Sequence, residues 1–252
     1  MTIPIKNDRA SWLQGPAAQC SQIPAAAKTP LRLILLGAPG VGKGTQAELL
    51  HERLGACHLS TGDVFRAASG RNSCEQSPAM ASALEYMRRG ELVPDTTVWE
   101  MVKERCGCLR CQGGFILDGF PRTILQAESL RNLMQKEKIL LNAVVDYELP
   151  FAESVSRISG RRTCRSCKSV FHAIHRPPQR EGVCDHCGGA LFHREDDRHE
   201  AVTVRLQTYN RSTAPLIDFY KNLGLLVTVP ATGSPDDIYE RTVELLKADL
   251  IH

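Results

Sequence analysis

The sequence predicts an α/β protein built on a doubly wound parallel sheet of about five strands, and three observations carry that prediction. Short apolar runs alternate with helix-like segments along most of the 252 residues, the pattern left by parallel strands joined through helical crossovers. A glycine-rich loop, Gly37-Ala38-Pro39-Gly40-Val41-Gly42-Lys43-Gly44-Thr45, joins the first apolar run to the first helix-like segment, as phosphate-binding loops do. Polar residues follow directly on later apolar runs, at Ser60-Thr61-Gly62-Asp63 and Asp118-Gly119-Phe120-Pro121-Arg122, which puts them at the carboxyl edge of such a sheet, where ligands bind.

Taken in order, residues 1–30 hold four prolines, an Ala25-Ala26-Ala27 run and no sustained periodicity, so a flexible N-terminal extension is expected. Trp12 is large enough to dock on a core, at a place the sequence does not specify. Leu31 to Leu36 reads as the first strand, Gly44 to Leu54 as a helix, and Cys57-His58-Leu59 as a short second strand. Helical patterns cover Pro78 to Arg89 and Pro94 to Arg105, Phe115-Ile116-Leu117 is a buried strand, and Thr123 to Gln135 is again helical. Strand Ala143 to Tyr147 and helix Phe151 to Ser159 continue the alternation. Gly160 to Asp197 is rich in Cys, Gly, Pro and Arg without a long helical pattern, so it reads as a small metal-stapled insert. Helix His199 to Lys221, disturbed near Pro215, strand Leu225 to Val229 and helix Pro235 to Leu250 then return to the sheet.

A formal charge of +3 is too mild to argue for nucleic-acid or membrane binding. No apolar run approaches a membrane span and residues 1–30 lack the apolar core of a secretory signal, so a cytoplasmic protein is the expectation. Ten cysteines are many for that compartment. Cys164-x2-Cys167 and Cys184-x2-Cys187, sixteen residues apart, have the spacing of two knuckles closing on one tetrahedral ion, zinc or another thiolate-preferring metal. Four thiolates would fill the shell, so the ion would be structural. Cys106-x-Cys108-x2-Cys111 fits a second metal site, a redox site or ordinary cysteines, and the lack of a matching second half favours the last.

The glycine loop has a direct physical reading. Glycines let the backbone bend and turn several N–H groups inward, the following helix adds the positive end of its dipole, and Lys43 supplies a mobile cation. Such a loop holds a nucleoside triphosphate. The commonest version places Ser or Thr directly after the lysine as a Mg²⁺ ligand. Here that position is Gly44, and Thr45 comes next.

From Leu31 to the C-terminus the chain resembles the adenylate kinases, in their long bacterial form with a zinc-binding lid. Five motifs carry the resemblance: Gly37 to Thr45, Ser60-Thr61-Gly62-Asp63 with Arg66, Asp118 to Arg122, Gly160-Arg161-Arg162 leading into the cysteines, and Asp196-Asp197 with Arg205. The resemblance implies a P-loop core over 31–59, 94–159 and 198–252, an AMP-binding helical insert over 60–93 and a lid over 160–197. It implies reversible transfer of a phosphoryl group between ATP and AMP to give ADP, with Mg²⁺, in a monomer. Gly40, Val41, Gly42, Lys43, Gly44 and Thr45 would hold the ATP phosphates, with Arg157, Arg161, Val170 and Phe171 also on ATP. Thr61, Arg66, Glu91, Leu92, Val93, Gly119, Phe120, Pro121, Arg122, Gln126, Arg194 and Arg205 would serve AMP. Lys43, Arg122, Arg161, Arg194 and Arg205 would be catalytic, and Asp63 and Asp118 would hold Mg²⁺ through water, compensating for Gly44. A kinase of UMP or CMP is the nearest alternative, and a catalytically silent nucleotide-binding zinc protein a more distant one. The chain departs from the compact bacterial pattern in residues 1–30, in Arg71 to Gln76, and in the Cys106 cluster.

Overall fold

The structure is a computed structural model that describes residues 10–15, 18, 20, 30–68, 78–167, 169–174 and 176–250. Arg71 to Gln76 and most of residues 1–30 lie outside the described residues. Helix α1 (Ala10–Gln14) precedes strand β1 (Leu31–Leu36), after which the glycine loop leads into α2 (Lys43–Leu54). Strand β2 (Cys57–Ser60) runs straight into α3 (Thr61–Ala68), and α4 (Pro78–Arg88) and α5 (Asp95–Glu104) follow. A 3-10 turn (Cys106–Arg110) brings the chain to β3 (Gly114–Asp118), then α6 (Ile124–Lys136), β4 (Ala143–Glu148) and α7 (Phe151–Ser159). Three short strands, β5 (Arg161–Cys164), β6 (Val170–His172) and β7 (Leu191–Phe192), fill the cysteine segment. Helices α8 (His199–Thr208) and α9 (Pro215–Asn222), strand β8 (Leu226–Pro230) and α10 (Pro235–Leu250) complete the chain.

The main sheet has five parallel strands in the order β2-β3-β1-β4-β8. Its central strand β1 is apolar on both faces because helices cover both. Ile34 and Leu36 join Leu59, Leu117, Phe120 and Val144 in one core cluster, while Leu33 and Leu35 join Val41, Leu50, Ile116 and Val145 in the other. That split follows from the two-residue period of a strand. In the register Leu35 lies beside Asp118 and Ser60 beside Asp118, so the polar ends of β2 and β3 share one edge with the glycine loop that follows β1.

The cysteine segment forms a separate antiparallel sheet in the order β6-β5-β7. Its core is small: Cys164, Phe171 and Cys184, with Cys167 and Leu191 packed against them. The expected break near Pro215 takes a definite form. After α8 the helix widens into a π turn at Tyr209–Thr213, with Ala214 N bonded to Tyr209 O at 2.9 Å, and α9 restarts at Pro215. Proline lacks the N–H that an uninterrupted α-helix would use there.

The expectation of flexibility over residues 1–30 does not hold at Ala10–Gln14. Trp12 is 1% exposed and belongs to the core cluster of β1 and β3. Its Nε1 donates to Ser60 O at 3.0 Å, and its own carbonyl accepts from Arg105 Nε at 2.7 Å. A five-residue helix has no periodicity to detect in sequence; burial of the indole against α3 stabilises it. No helix among the described residues is long and apolar enough to cross a membrane.

Candidate active site

The glycine loop sits where β1 turns into α2. Gly40 has φ +92°, and a Cβ there would lie 2.4 Å from the Ser154 carbonyl, so only glycine lets α7 approach this closely. Lys43 Nζ donates to the carbonyls of Gly37 at 2.6 Å and Ala38 at 3.0 Å, folded back over its own loop. Burial lowers its pKa to about 8 against the pull of Asp118, with Arg122 and Arg205 lowering it further. A phosphate beside the ammonium would reverse that shift. Arg157 reaches the loop from α7, donating to Ala231 O at 3.0 Å and Val41 O at 3.4 Å.

Asp118 ends β3 beside the loop: a Cβ on Gly44 would come within 3.6 Å of its Oδ2. The missing side chain at Gly44 therefore leaves this carboxylate facing the loop. Burial works against its charge, but the hydrogen bond with His58 Nε2 at 3.3 Å and the nearby Lys43 hold the pKa below the usual carboxylate value. Sequence reasoning treated His58 only as part of a short strand. Pairing of β2 with β3 sets it across from Ile116 and within reach of Asp118.

The second half of the site comes from β2, α3 and the turn after β3. Thr61 Oγ1 donates to Gly119 O at 3.0 Å. Arg66 donates to Asp63 at 2.9 Å, and although burial disfavours its charge, Asp63 and Asp196 more than compensate. Arg122 Nε donates to Gly119 O at 2.8 Å, and burial, with Arg205 close by, brings its pKa down to about 10. Gln126 is 3% exposed, not the surface decoration a helix position allows. Its Oε1 accepts from Arg122 N at 2.8 Å and its Nε2 donates to Asp95 Oδ1 at 2.6 Å. Asp95, which also accepts from Thr123 Oγ1 at 3.0 Å, is a positioning residue that the sequence did not announce.

The third group closes from the cysteine segment and α8. Asp197, its side chain fully buried, accepts from Arg161 Nε at 2.8 Å and from Arg205 at 2.9 Å. Arg194 Nε donates to Thr163 Oγ1 at 2.8 Å, and burial, then Arg66 and Arg161, lower its pKa to about 9. Burial pushes the Asp196 pKa up, yet Arg205, Arg66, Arg161 and Arg194 together hold it far below the usual carboxylate range.

These groups line one cleft of about 840 Å³. Gly40 to Thr45, Thr61, Asp63, Arg66, Glu91, Leu92, Val93, Asp118, Gly119, Pro121, Arg122, Gln126, Arg157, Arg161, Val170, Phe171, Arg194 and Arg205 all face it. Phe120 does not. It is fully buried and stacks on Trp99 with ring centroids 6.4 Å apart, so its role is packing behind the site. Several cations, Lys43, Arg66, Arg122, Arg161, Arg194 and Arg205, line this one cleft, and burial and mutual repulsion among such groups are relieved by bound negative charge.

The sulfurs of Cys164, Cys167, Cys184 and Cys187 all lie within 4.8 Å of one another. Cys164 to Cys187 and Cys167 to Cys184 are each 3.5 Å apart. Zn–S bonds of about 2.3 Å at tetrahedral angles put sulfurs about 3.8 Å apart, so the four thiols fit one zinc ion.

Comparison with known proteins adds the decisive observation: a family model described as adenylate kinase matches residues 35–225. The chain belongs to the adenylate kinase family. An adenylate kinase from Caldicellulosiruptor saccharolyticus is 50% identical over 218 residues, spanning 86% of this chain and 98% of that protein. One from Streptomyces coelicolor is 48% identical over 220 residues, 87% of this chain and 100% of that protein. An adenylate kinase from Archaeoglobus fulgidus is 42% identical over 217 residues. The adenylate kinase match starts after α1, so the docked Trp12 lies outside it.

Proposed function

We propose that the chain catalyses reversible, Mg²⁺-dependent phosphoryl transfer, ATP + AMP = 2 ADP. One observation carries this reading: the glycine loop around Lys43 and a separate pair of arginines, Arg66 and Arg122, line a single cleft. Phosphoryl transfer needs two anions held in line, their charge neutralised and water excluded, with little covalent help from the protein.

The loop amides and Lys43 hold the ATP phosphates, and Lys43 swings from its carbonyls onto the transferred group. Arg66 and Arg122 grip the AMP phosphate. Gln126 still has one amide hydrogen and one lone pair after its bonds to Asp95 and Arg122, enough to pair with an adenine edge. Thr61, Leu92 and Val93 shape the base pocket, with Glu91 contributing backbone. Arg161, Arg194 and Arg205 close over the phosphates, Val170 and Phe171 cover the adenosine, and Arg157 flanks the loop. Asp63 and Asp118 are the carboxylates suited to hold Mg²⁺ through water; when bound, the ion neutralises charge on the phosphates.

The corresponding division is a core over 31–59, 94–159 and 198–252, an AMP-binding insert over 60–93 and a zinc lid over 160–197. We take the working form as a cytoplasmic monomer. ADP formation measured with ATP and, in turn, AMP, UMP, CMP and GMP tests the substrate. AMP is expected to be preferred, and a pyrimidine monophosphate used better than AMP would overturn the assignment.

A further inference from the structure

Behind the cleft, at the outer edge of the main sheet, two cysteines from separate elements meet. Cys57 opens β2, the edge strand, and Cys111 follows the 3-10 turn that precedes β3. Their sulfurs are 2.6 Å apart, well inside the roughly 3.5–4.0 Å of ordinary non-bonded contact. We infer that Cys57 and Cys111 form a redox-active dithiol that closes reversibly to a disulfide, tying β2 to the turn before β3.

The distance separates this pair from a metal site. Two thiolates on one zinc stand about 3.8 Å apart, close to the 3.5 Å seen between lid sulfurs. At 2.6 Å the Cys57 and Cys111 sulfurs are too close to share an ion as ligands. Among the described residues only the four lid cysteines assemble as a metal-binding group.

The two sulfurs are unlike, as a nucleophile and its partner should be. Cys57 is buried, whereas Cys111 is partly exposed. The hydrogen bond from Cys57, helped by the backbone N–H groups of Gly113 and Gln112, lowers the Cys111 pKa to about 7. The same contact and burial push Cys57 up, and burial holds neighbouring Cys108 at about 11. Cys111 is thus the thiolate that meets an oxidant first.

The oxidant is a hydroperoxide. The Cys111 thiolate attacks its outer oxygen, the O–O bond breaks, and an alkoxide or hydroxide leaves and takes a proton, giving Cys111 sulfenic acid. Cys57 sulfur then attacks the Cys111 sulfur and its thiol proton leaves with the hydroxyl as water. In sum two thiols and one peroxide give one disulfide, one alcohol or water, and one further water. A dithiol reductant returns both electrons and both protons.

The test uses the full zinc-loaded chain treated with one equivalent of hydrogen peroxide, alkylated, digested and mapped by mass spectrometry. The expected result is a linked pair of peptides carrying Cys57 and Cys111, two hydrogens lighter than their sum, with two of the ten thiols lost and zinc content unchanged. Dithiothreitol restores both thiols, and Cys108→Ala leaves the link in place while Cys111→Ser abolishes it. Full alkylation of Cys57 and Cys111 after peroxide would overturn the inference, as would a link made instead through Cys20 or Cys108. A second zinc per chain, lost in Cys57→Ser, would make the cluster a metal site and equally overturn it.

Discussion

Trp12 donates its indole N–H to the carbonyl of Ser60 at 3.0 Å, and Ser60 immediately precedes Thr61 in the cleft. The N-terminal segment therefore backs the Ser60–Thr61 wall of the cleft through one buried side chain. Trp12→Ala removes that packing and leaves the Ser60 carbonyl without its indole donor. A loss of about 3–5 kcal/mol is expected, read as a lower urea midpoint. A variant within about 0.5 kcal/mol of the parent chain would show that the segment contributes little.

Lys43→Ala and Arg122→Ala each remove a cation that lines the cleft while leaving the apolar core intact. Turnover is expected to fall on the order of 10²-fold or more with the thermal midpoint nearly unchanged. Steady-state ADP formation combined with a melting curve checks both halves, and full activity in either variant would remove that residue from the site.

Asp197 joins the lid to α8 by accepting from Arg161 and Arg205 at once. Asp197→Asn keeps the shape but leaves two arginines facing each other without their shared carboxylate. Breaking a buried ion pair typically costs about 3–5 kcal/mol, and with Arg161 released, kcat is expected to fall on the order of tenfold while Arg161 no longer stays aligned. Crystal structures or kinetics in which Arg161 keeps both position and effect would contradict this.

One zinc per chain is expected by elemental analysis, held by the four lid cysteines. The lid core is only Cys164, Phe171 and Cys184 with two half-buried neighbours, so metal binding supplies much of its folding energy. A strong chelator or Cys184→Ser is expected to lower the first thermal transition and weaken ATP binding while the parallel sheet survives. A metal-free sample of full stability would rule out the structural role.

Asp146, 1% exposed in β4, is pushed by burial, and then by Glu148, to a pKa of about 6. Its unfolded value is about 3.9. Below about pH 4 both states hold the proton and nothing is lost. Between about pH 4 and 6 the unfolded chain releases a proton that the folded chain keeps, so stability falls as pH rises, by about 3 kcal/mol in all. Asp146→Asn is expected to flatten that part of the profile. Urea midpoints of both chains at pH 4.5 and pH 8 test it, and parallel profiles would show that the carboxyl ionises freely in the fold.

Much of the fold and most of the site were legible in sequence because their signals are local. The β1 run, the glycine loop and α2 are contiguous, and each places the next by backbone geometry alone. The same holds for the two cysteine knuckles and for the break at Pro215. Phe120 sits inside a contiguous motif whose neighbours line the cleft, and only the tertiary structure shows its ring buried and stacked on Trp99.

What the sequence by itself determined is thus the order of elements, the glycine loop, the four cysteines that cluster and the family. The tertiary structure alone decided which distant groups meet. Trp12 and Ser60 are 48 residues apart, Cys57 and Cys111 are 54, and Arg161 and Asp197 are 36. No local pattern encodes such pairs, because their contact depends on the parallel order of β2, β3 and β1 and on the lid folding toward α8. Burial then sets their chemistry: desolvation gives Lys43, Arg194 and Asp146 their shifted proton affinities, and it exists only once the chain has closed around them.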